Sequence, residues 1–288
     1  MGQGMVVKRH GRIGKFGIPL RTAVTTWKRL VGYKAFHDIN KEKLKLSNAG
    51  ICFSKYMSRR IGGGYVIYHG ADPAISPPIS KAKARERLFL PLDKMIAVAI
   101  GFSTATKGWD ILSKIDMPSG WVMVLNSSKG HFNKEQNLSS GIQDRRNKKG
   151  ADDDDDNRTS KVIDLQKGFL SDEELSVLFY ASDAVVLPYK ITSGSGVMFD
   201  ALSHTVPFVA SDLDFFREFE EMGLGITAKR DPISFARAID NLGKMYDKYS
   251  SAVDNFRQQL RWKYVANQHI EVYARAIREK RRDTLSTN

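Results

Sequence analysis

The chain has 288 residues, 42% of them hydrophobic and 27% charged, enough to bury one large core or two modest ones. No apolar run approaches the roughly 20 residues of a membrane-spanning helix. The N-terminal MGQGMVVKRHGRIGKF has no apolar signal core, and the single Cys52 excludes an internal disulfide, so the sequence reads as a cytosolic protein. The net charge of +13 is concentrated at one end: in residues 1–60 fourteen Lys and Arg face only Asp38 and Glu42, and the remainder is nearly neutral. Anionic lipid, an acidic partner chain or nucleic acid could each answer to such a segment, or it is simply solvated. Nucleic acid ranks last, because only Phe16, Trp27, Tyr33 and Phe36 interleave the charges of residues 1–40.

In chain order, residues 41–48 read as the end of a helix carrying Leu44 and Leu46. Gly50–Ser54 is predicted as a short buried strand, Lys55–Ile61 as a basic helix ended by Gly62–Gly64, and Tyr65–Tyr68 as a second strand. The run 73–78 predicts an extended linker, because proline continues neither helices nor central strands. Beyond it the pattern alternates. Lys81–Leu90 predicts a helix, Met95–Ile100 a strand, Trp109–Lys114 a helix and Trp121–Leu125 a strand. Val162–Leu165 follows as a strand, Asp172–Tyr180 as an amphipathic helix, Ala184–Pro188 as a strand and Val197–Ser203 as a helix. Phe208–Ala210 closes as a strand and Phe215–Met222 as a helix. These strands are continuous apolar runs, the mark of a parallel sheet buried on both faces. Region 80–250 is therefore expected to be α/β, a doubly wound parallel sheet of Rossmann-like type. Residues 127–160 interrupt it with a polar stretch expected to be a flexible insertion. Its Asp152–Asp156 run repels itself and reads as solvated rather than as a metal site.

Four places carry chemistry. GFSTATKG, Gly101–Gly108, follows a strand and opens a helix, so Lys107 lies at the edge of the sheet where such folds bind ligands and can neutralise a diphosphate. GFLSDEEL, Gly168–Leu175, has a capping box between Ser171 and Glu174, and Phe169 and Leu170 are expected to line a flat apolar slot for a base. In SGSGVMFDAL, residues 193–202, Gly194 and Gly196 let backbone amides approach an anion at a helix start. The string resembles a dinucleotide fingerprint only weakly: Phe199 replaces the third glycine, Asp212 follows, and phosphate binding, not a nicotinamide cofactor, is what it supports. Asp200, one turn into that helix, is suited to ribose hydroxyls.

Together these strings resemble the family-4 group of retaining GT-B glycosyltransferases, from about residue 47 to about 277. NAGICFSKYMSRRI is similar to the family's last strand and helix of the N-terminal domain, and YVIYHGAD to its inter-domain segment, here with His69, Gly70 and Asp72. ARERLFLPLDKMIAVAIGF with KGWDIL resembles the first strand and loop of the donor domain. GFLSDEELSVLFYASDAVVLPY resembles the base-binding turn, helix and strand, and SGSGVMFDALSHTVPFVASDL the donor-loop helix and the strand after it. FRQQLRWKYVANQHIEVY resembles the C-terminal helix that crosses back to the N-terminal domain, with Trp262 and Tyr273.

The resemblance implies donor binding without a metal or cofactor, the nucleotide sugar being a substrate. It places Gly101 and Lys107 at the diphosphate, the Leu170 backbone at the base, Ser195, Gly196 and Val197 at phosphate, and Asp200 where the family has a ribose-binding Glu. Thr192 stands at the first of the family's paired acids, Phe102 where an Arg is common, and Thr205 where a Gly is usual. The organisation it implies is a basic remnant of an acceptor domain and linker over 1–78, a nucleotide-sugar-binding domain over 79–255 and a C-terminal helix and tail over 256–288. No catalytic residue is assigned, since none of His10, His37 or His69 sits in a recognisable acceptor motif. The expected function is sugar transfer from a nucleotide sugar to a lipid or glycan hydroxyl with retention. The alternative is a non-catalytic nucleotide-sugar-binding subunit or pseudoenzyme needing a partner chain. An anionic membrane surface, giving a peripheral location, or a partner subunit would engage residues 1–60.

Overall fold

A computed structural model of the chain describes residues 38–128 and 161–286. The basic stretch 1–37, with His10 and His37, and residues 129–160 of the expected insertion, with Asp152–Asp156, lie outside these.

Helix α1 covers residues 38–45. A two-stranded parallel sheet pairs β1 (Ile51–Cys52) with β2 (Tyr65–Val66), connected by helix α2 (Lys55–Ile61). Both strands are shorter than expected, because regular pairing reaches only two residues before the chain turns away. The Ser54 hydroxyl caps α2 by accepting from the Met57 amide, and buried Glu218 accepts from the amides of Lys55 and Tyr56 at 2.9 and 2.8 Å. A carboxylate there satisfies helix-start donors and complements the helix dipole.

The main sheet has six strands: β3 (Met95–Phe102), β4 (Trp121–Ser128), β5 (Val162–Asp164), β6 (Ala184–Leu187), β7 (Phe208–Ser211) and β8 (Gly225–Ala228). All pair in parallel in the order β5-β4-β3-β6-β7-β8. Strand β4 runs on to Ser128, where Ser127 and Ser128 pair with Gly101 and Phe102; the expected insertion therefore does not begin at 127. Side chains alternate between two cores, as the period of a strand requires. Ile96, Val98 and Ile100 enter one core, and Ala97 and Ala99 the other. The first core is covered by α3 (Lys81–Arg87), α5 (Asp172–Ala181), α6 (Gly196–Ser203), α7 (Asp214–Glu220) and α9 (Tyr246–Arg257). The second is covered by α4 (Trp109–Leu112) and α8 (Pro232–Lys244). This is the doubly wound α/β sheet expected.

Several boundaries differ from the expected ones. Helix α3 ends at Arg87, three residues early, because Phe89 adopts a left-handed φ of 53°. Helix α4 is a single turn. The C-terminal segment is not one helix from 256: α9 passes into a short 3₁₀ turn, Gln258–Leu260, and α10 (Trp262–Ser286) begins anew. The break lies at Arg261, whose ψ of 131° is extended, and the Leu260 carbonyl accepts instead from the Ala71 amide at 2.8 Å. The stretches 68–73 and 258–262 thus lie against each other, the Trp262 amide also donating to Asp72 at 3.2 Å. Trp262 covers Gly70 so closely that a Cβ there would lie 2.5 Å from the indole.

Candidate functional site

The strand order reverses between β3 and β6. The chain moves outward through β4 and β5, then returns to the other side of β3, which leaves a crevice at the carboxyl ends of β3 and β6 where this topology binds ligands. The loops flanking that crevice are Gly101–Gly108 and residues 188–195. They are bolted together: the Lys190 amide donates to the Thr106 carbonyl at 2.8 Å, and Arg230 joins the Pro188 carbonyl at 3.1 Å to Asp110 of α4. Gly108 (φ 76°) permits the closest approach, since a Cβ there would meet the Pro188 oxygen at 1.7 Å.

Lys107 reaches across this junction. Its ammonium lies 3.8 Å from the centroid of the Tyr189 ring, and the Tyr189 hydroxyl lies 3.3 Å from Ser195 Oγ. A cation over an aromatic face is held without being neutralised, so its charge stays available to an anion. Ser195 caps α6 by accepting from the Met198 amide at 3.2 Å. The amides of Gly196 and Val197 have no acceptor among the described residues. Thr192 shapes the preceding loop: its hydroxyl donates to the Gly194 carbonyl at 2.5 Å and accepts from the Gly194 amide at 3.1 Å. Gly101 closes β3 with a left-handed φ of 128°.

The turn before α5 carries the expected capping box. The Ser171 amide donates to Glu174 at 3.0 Å, and the Glu174 amide to Ser171 Oγ at 3.2 Å. At the expected apolar slot, Leu170 packs on the core and Phe169 stands 82% exposed on the turn. Sequence reasoning missed the residue that holds this turn: buried Asn126, at the end of β4, donates to the Gly168 carbonyl at 2.8 Å and accepts from the Lys167 amide at 3.0 Å. Its signal was a lone amide ending the apolar run WVMVLN.

Asp200 joins these parts. Burial pushes its carboxyl up to about 6; the charge of His69 opposes the rise and that of Asp172 adds to it. Asp172 opens α5 directly after the turn at Gly168–Ser171. Among the described residues no donor reaches it. Asp212, just after β7, is engaged differently, in a bidentate pair with Arg217 at 2.5 and 2.9 Å. His204 is locked in the core: its Nδ1 donates to the Asp200 carbonyl at 2.7 Å, and its Nε2 accepts from Ser176, which itself accepts from the Ala74 amide. Among the described residues no three His, Cys, Asp or Glu side chains converge where a metal ion could sit, and no helix is long and apolar enough to cross a membrane.

No protein-family profile and no curated protein matches the chain. Solved structures do. A sucrose-phosphate synthase from Thermosynechococcus elongatus superposes with a TM-score of 0.65 at 20% identity, over 85% of this chain and 62% of that one. Anabaena HepE in complex with UDP-glucose gives 0.58 at 20% identity, over 79% and 64%. WaaG, a glycosyltransferase involved in lipopolysaccharide biosynthesis, gives 0.52 at 11% identity, over 73% and 57%. The chain thus spans less than two thirds of the length of these structures. The likeness shows the fold: the Rossmann-like α/β architecture of GT-B glycosyltransferases.

Proposed function

We propose that this chain binds a nucleoside-diphosphate sugar and serves sugar transfer to a hydroxyl of a lipid or glycan, with retention, as in the family-4 group that its motifs resemble. The observation that carries the reading is the convergence on one switch-point crevice of four ligand-ready parts: the Lys107 cation, the open amides of Gly196 and Val197, the turn held by Asn126, and the unbonded Asp200 carboxylate. The turn at Leu170 takes the base, Asp200 the ribose, and Ser195, Gly196 and Val197 with Lys107 the diphosphate. The bound UDP-glucose of HepE is consistent with a ligand of this class.

The mechanism is electrostatic. The glycosidic bond to the diphosphate breaks as the leaving oxygen gains charge, and Lys107 with the α6 amides stabilises that charge. No metal or cofactor is needed for this. Thr192, in the place of the first paired acid, offers the donor sugar a hydroxyl rather than a carboxylate. Residues 79–255 form the donor-binding unit in this reading, 1–78 belong to the acceptor side and 256–288 return to it. The basic residues 1–60 lie against an anionic membrane face or a partner subunit in the cytosol. A non-catalytic donor-binding subunit is the second reading, favoured by the Thr192 replacement. Calorimetric titration with UDP-, GDP- and ADP-sugars tests the first step: one of them binds, and the absence of any response in folded protein removes the proposal. A transferase assay on the same preparation then separates the two readings.

A further inference from the structure

Away from the crevice, the described residues enclose a pocket of about 300 Å³. Its walls come from three directions: Asp72 and Ile75 of the linker, Tyr180 and Ser203 in the last turns of α5 and α6, and Arg257 and Arg261 on either side of the 3₁₀ turn. Helices α5 and α6 end just before β6 and β7 begin, so this pocket lies at the amino ends of the strands, the opposite end of the sheet from the crevice. The walls are fastened to one another. The Ala71 amide donates to the Leu260 carbonyl at 2.8 Å and the Trp262 amide to Asp72 at 3.2 Å. Farther along, the Ala74 amide donates to Ser176 Oγ at 2.9 Å and the Tyr180 hydroxyl to the Ile75 carbonyl at 3.2 Å. A ligand therefore meets walls that are already ordered, which removes a cost of binding.

Two guanidiniums line the pocket with donors unused. Arg257 gives its Nε to Asp254 at 2.7 Å, and its terminal nitrogens meet no acceptor among the described residues. Arg261 Nε stands 3.7 Å from Asp72 Oδ1, too far for a hydrogen bond. A guanidinium offers paired, coplanar N–H groups that match the oxygens of a phosphate. Acceptors face the same space. Asp72 Oδ1 has no hydrogen-bond donor among the described residues, and the Tyr180 hydroxyl, having donated to Ile75, keeps its lone pairs. A bare anion would leave the Asp72 carboxylate facing a like charge; an anion that also carries hydroxyls answers both. The volume is at the lower end of small-molecule sites, roughly 300–1,000 Å³, which suits a compact molecule. We infer that this pocket binds a small hydroxylated phosphate monoester, with the phosphate on Arg257 and Arg261 and a hydroxyl on Asp72. It shares no residue with the crevice, so it stands apart from the nucleotide reading. Its ligand would brace the linker against the α9–α10 break.

Calorimetric titration of the full chain with glucose 6-phosphate, glucose and inorganic phosphate tests this. Glucose 6-phosphate should bind, glucose should not, and inorganic phosphate should bind at least tenfold more weakly. Arg261 is 67% exposed, so Arg261→Gln leaves the core untouched; it should weaken glucose 6-phosphate about ten- to hundredfold, the effect of a charge-assisted hydrogen bond. Asp72→Asn should narrow the gap between the two phosphates, and Lys107→Ala should change neither. Silence from every probe in folded protein, or indifference to Arg261→Gln, overturns the site. A loss with Lys107→Ala as large as that with Arg261→Gln places the phosphate in the crevice and overturns it as well. Inorganic phosphate binding as tightly as glucose 6-phosphate overturns the class of ligand. None of these outcomes touches nucleotide binding, which the sugar-nucleotide titrations decide separately.

Discussion

At the scale of single residues, the candidate site holds a carboxylate whose charged form is penalised by burial. Burial raises the Asp200 carboxyl from 3.8 to about 6, so keeping it charged at neutral pH costs the fold about 3 kcal/mol. Asp200→Asn should therefore raise the melting temperature at pH 8 while weakening nucleoside and nucleotide binding alike. A melting temperature that falls, or a nucleoside that binds undiminished, contradicts this. Wild-type affinity should also climb as pH rises through about 6, because the acceptor form is the ionised one. In the proposed reading Lys107 meets a different part of the ligand. Lys107→Ala should cost a diphosphate roughly 1.5–3 kcal/mol, the worth of a charge-assisted contact, and leave the free nucleoside unaffected; isothermal titration of both ligands separates the contributions.

At the scale of elements, the joints between strands and loops carry the strain and the buried charge. Thr205, where the resembling family has Gly, follows α6 with φ 64°, a left-handed conformation that penalises a β-branched residue by roughly 1–2 kcal/mol. Thr205→Gly returns part of this, less the flexibility that glycine adds to the unfolded chain, so chemical denaturation should show a gain below about 1 kcal/mol. The opposite edge of the sheet is fastened by Asp183 at the start of β6. Its carboxylate accepts from Arg85 at 2.6 Å, Lys81 at 2.5 Å and the Ile96 amide at 2.6 Å. Asp183→Ala would strand the buried Arg85 guanidinium, a loss of about 3–5 kcal/mol that urea unfolding should register. Nucleotide affinity per folded molecule should not change, because this network lies at the amino ends of the strands.

At the scale of the whole molecule, two buried groups set opposing pH dependences. Asp200 has a raised folded pKa, so its contribution is complete below 3.8 and is lost as pH rises through about 6. Burial lowers His204 from 6.5 to about 4, so its contribution is complete above 6.5 and is lost as pH falls through about 4. Between about pH 4 and 6 the two slopes cancel. Asp200→Asn should uncover the His204 slope, with stability falling in acid. His204→Gln should uncover the reverse, with stability rising in acid. Denaturant midpoints of both variants across pH 4–7 check the signs; parallel profiles would mean that neither group titrates as its burial implies.

Most of the sheet domain was legible because its cause is local. Apolar runs such as MIAVAI and AVVL can be satisfied only between two layers of helices, and Ser171 with Glu174 announces a helix start through side chains alone. Likewise Lys107 and Asp200 were nameable as candidates from glycine spacing and position on a helix, and Ser195 from the family resemblance. What the sequence could not determine was set by contacts between segments far apart in the chain. Asn126 holds a turn 42 residues away, Tyr189 carries the Lys107 cation, and His69 rests on Phe199 and Trp262. By itself the sequence determined the layered architecture, since periodicity is a property of neighbouring positions. The partners of the candidate site residues, and the burial that shifts Asp200 and His204 in opposite directions, were decided only when the tertiary structure excluded water from around them.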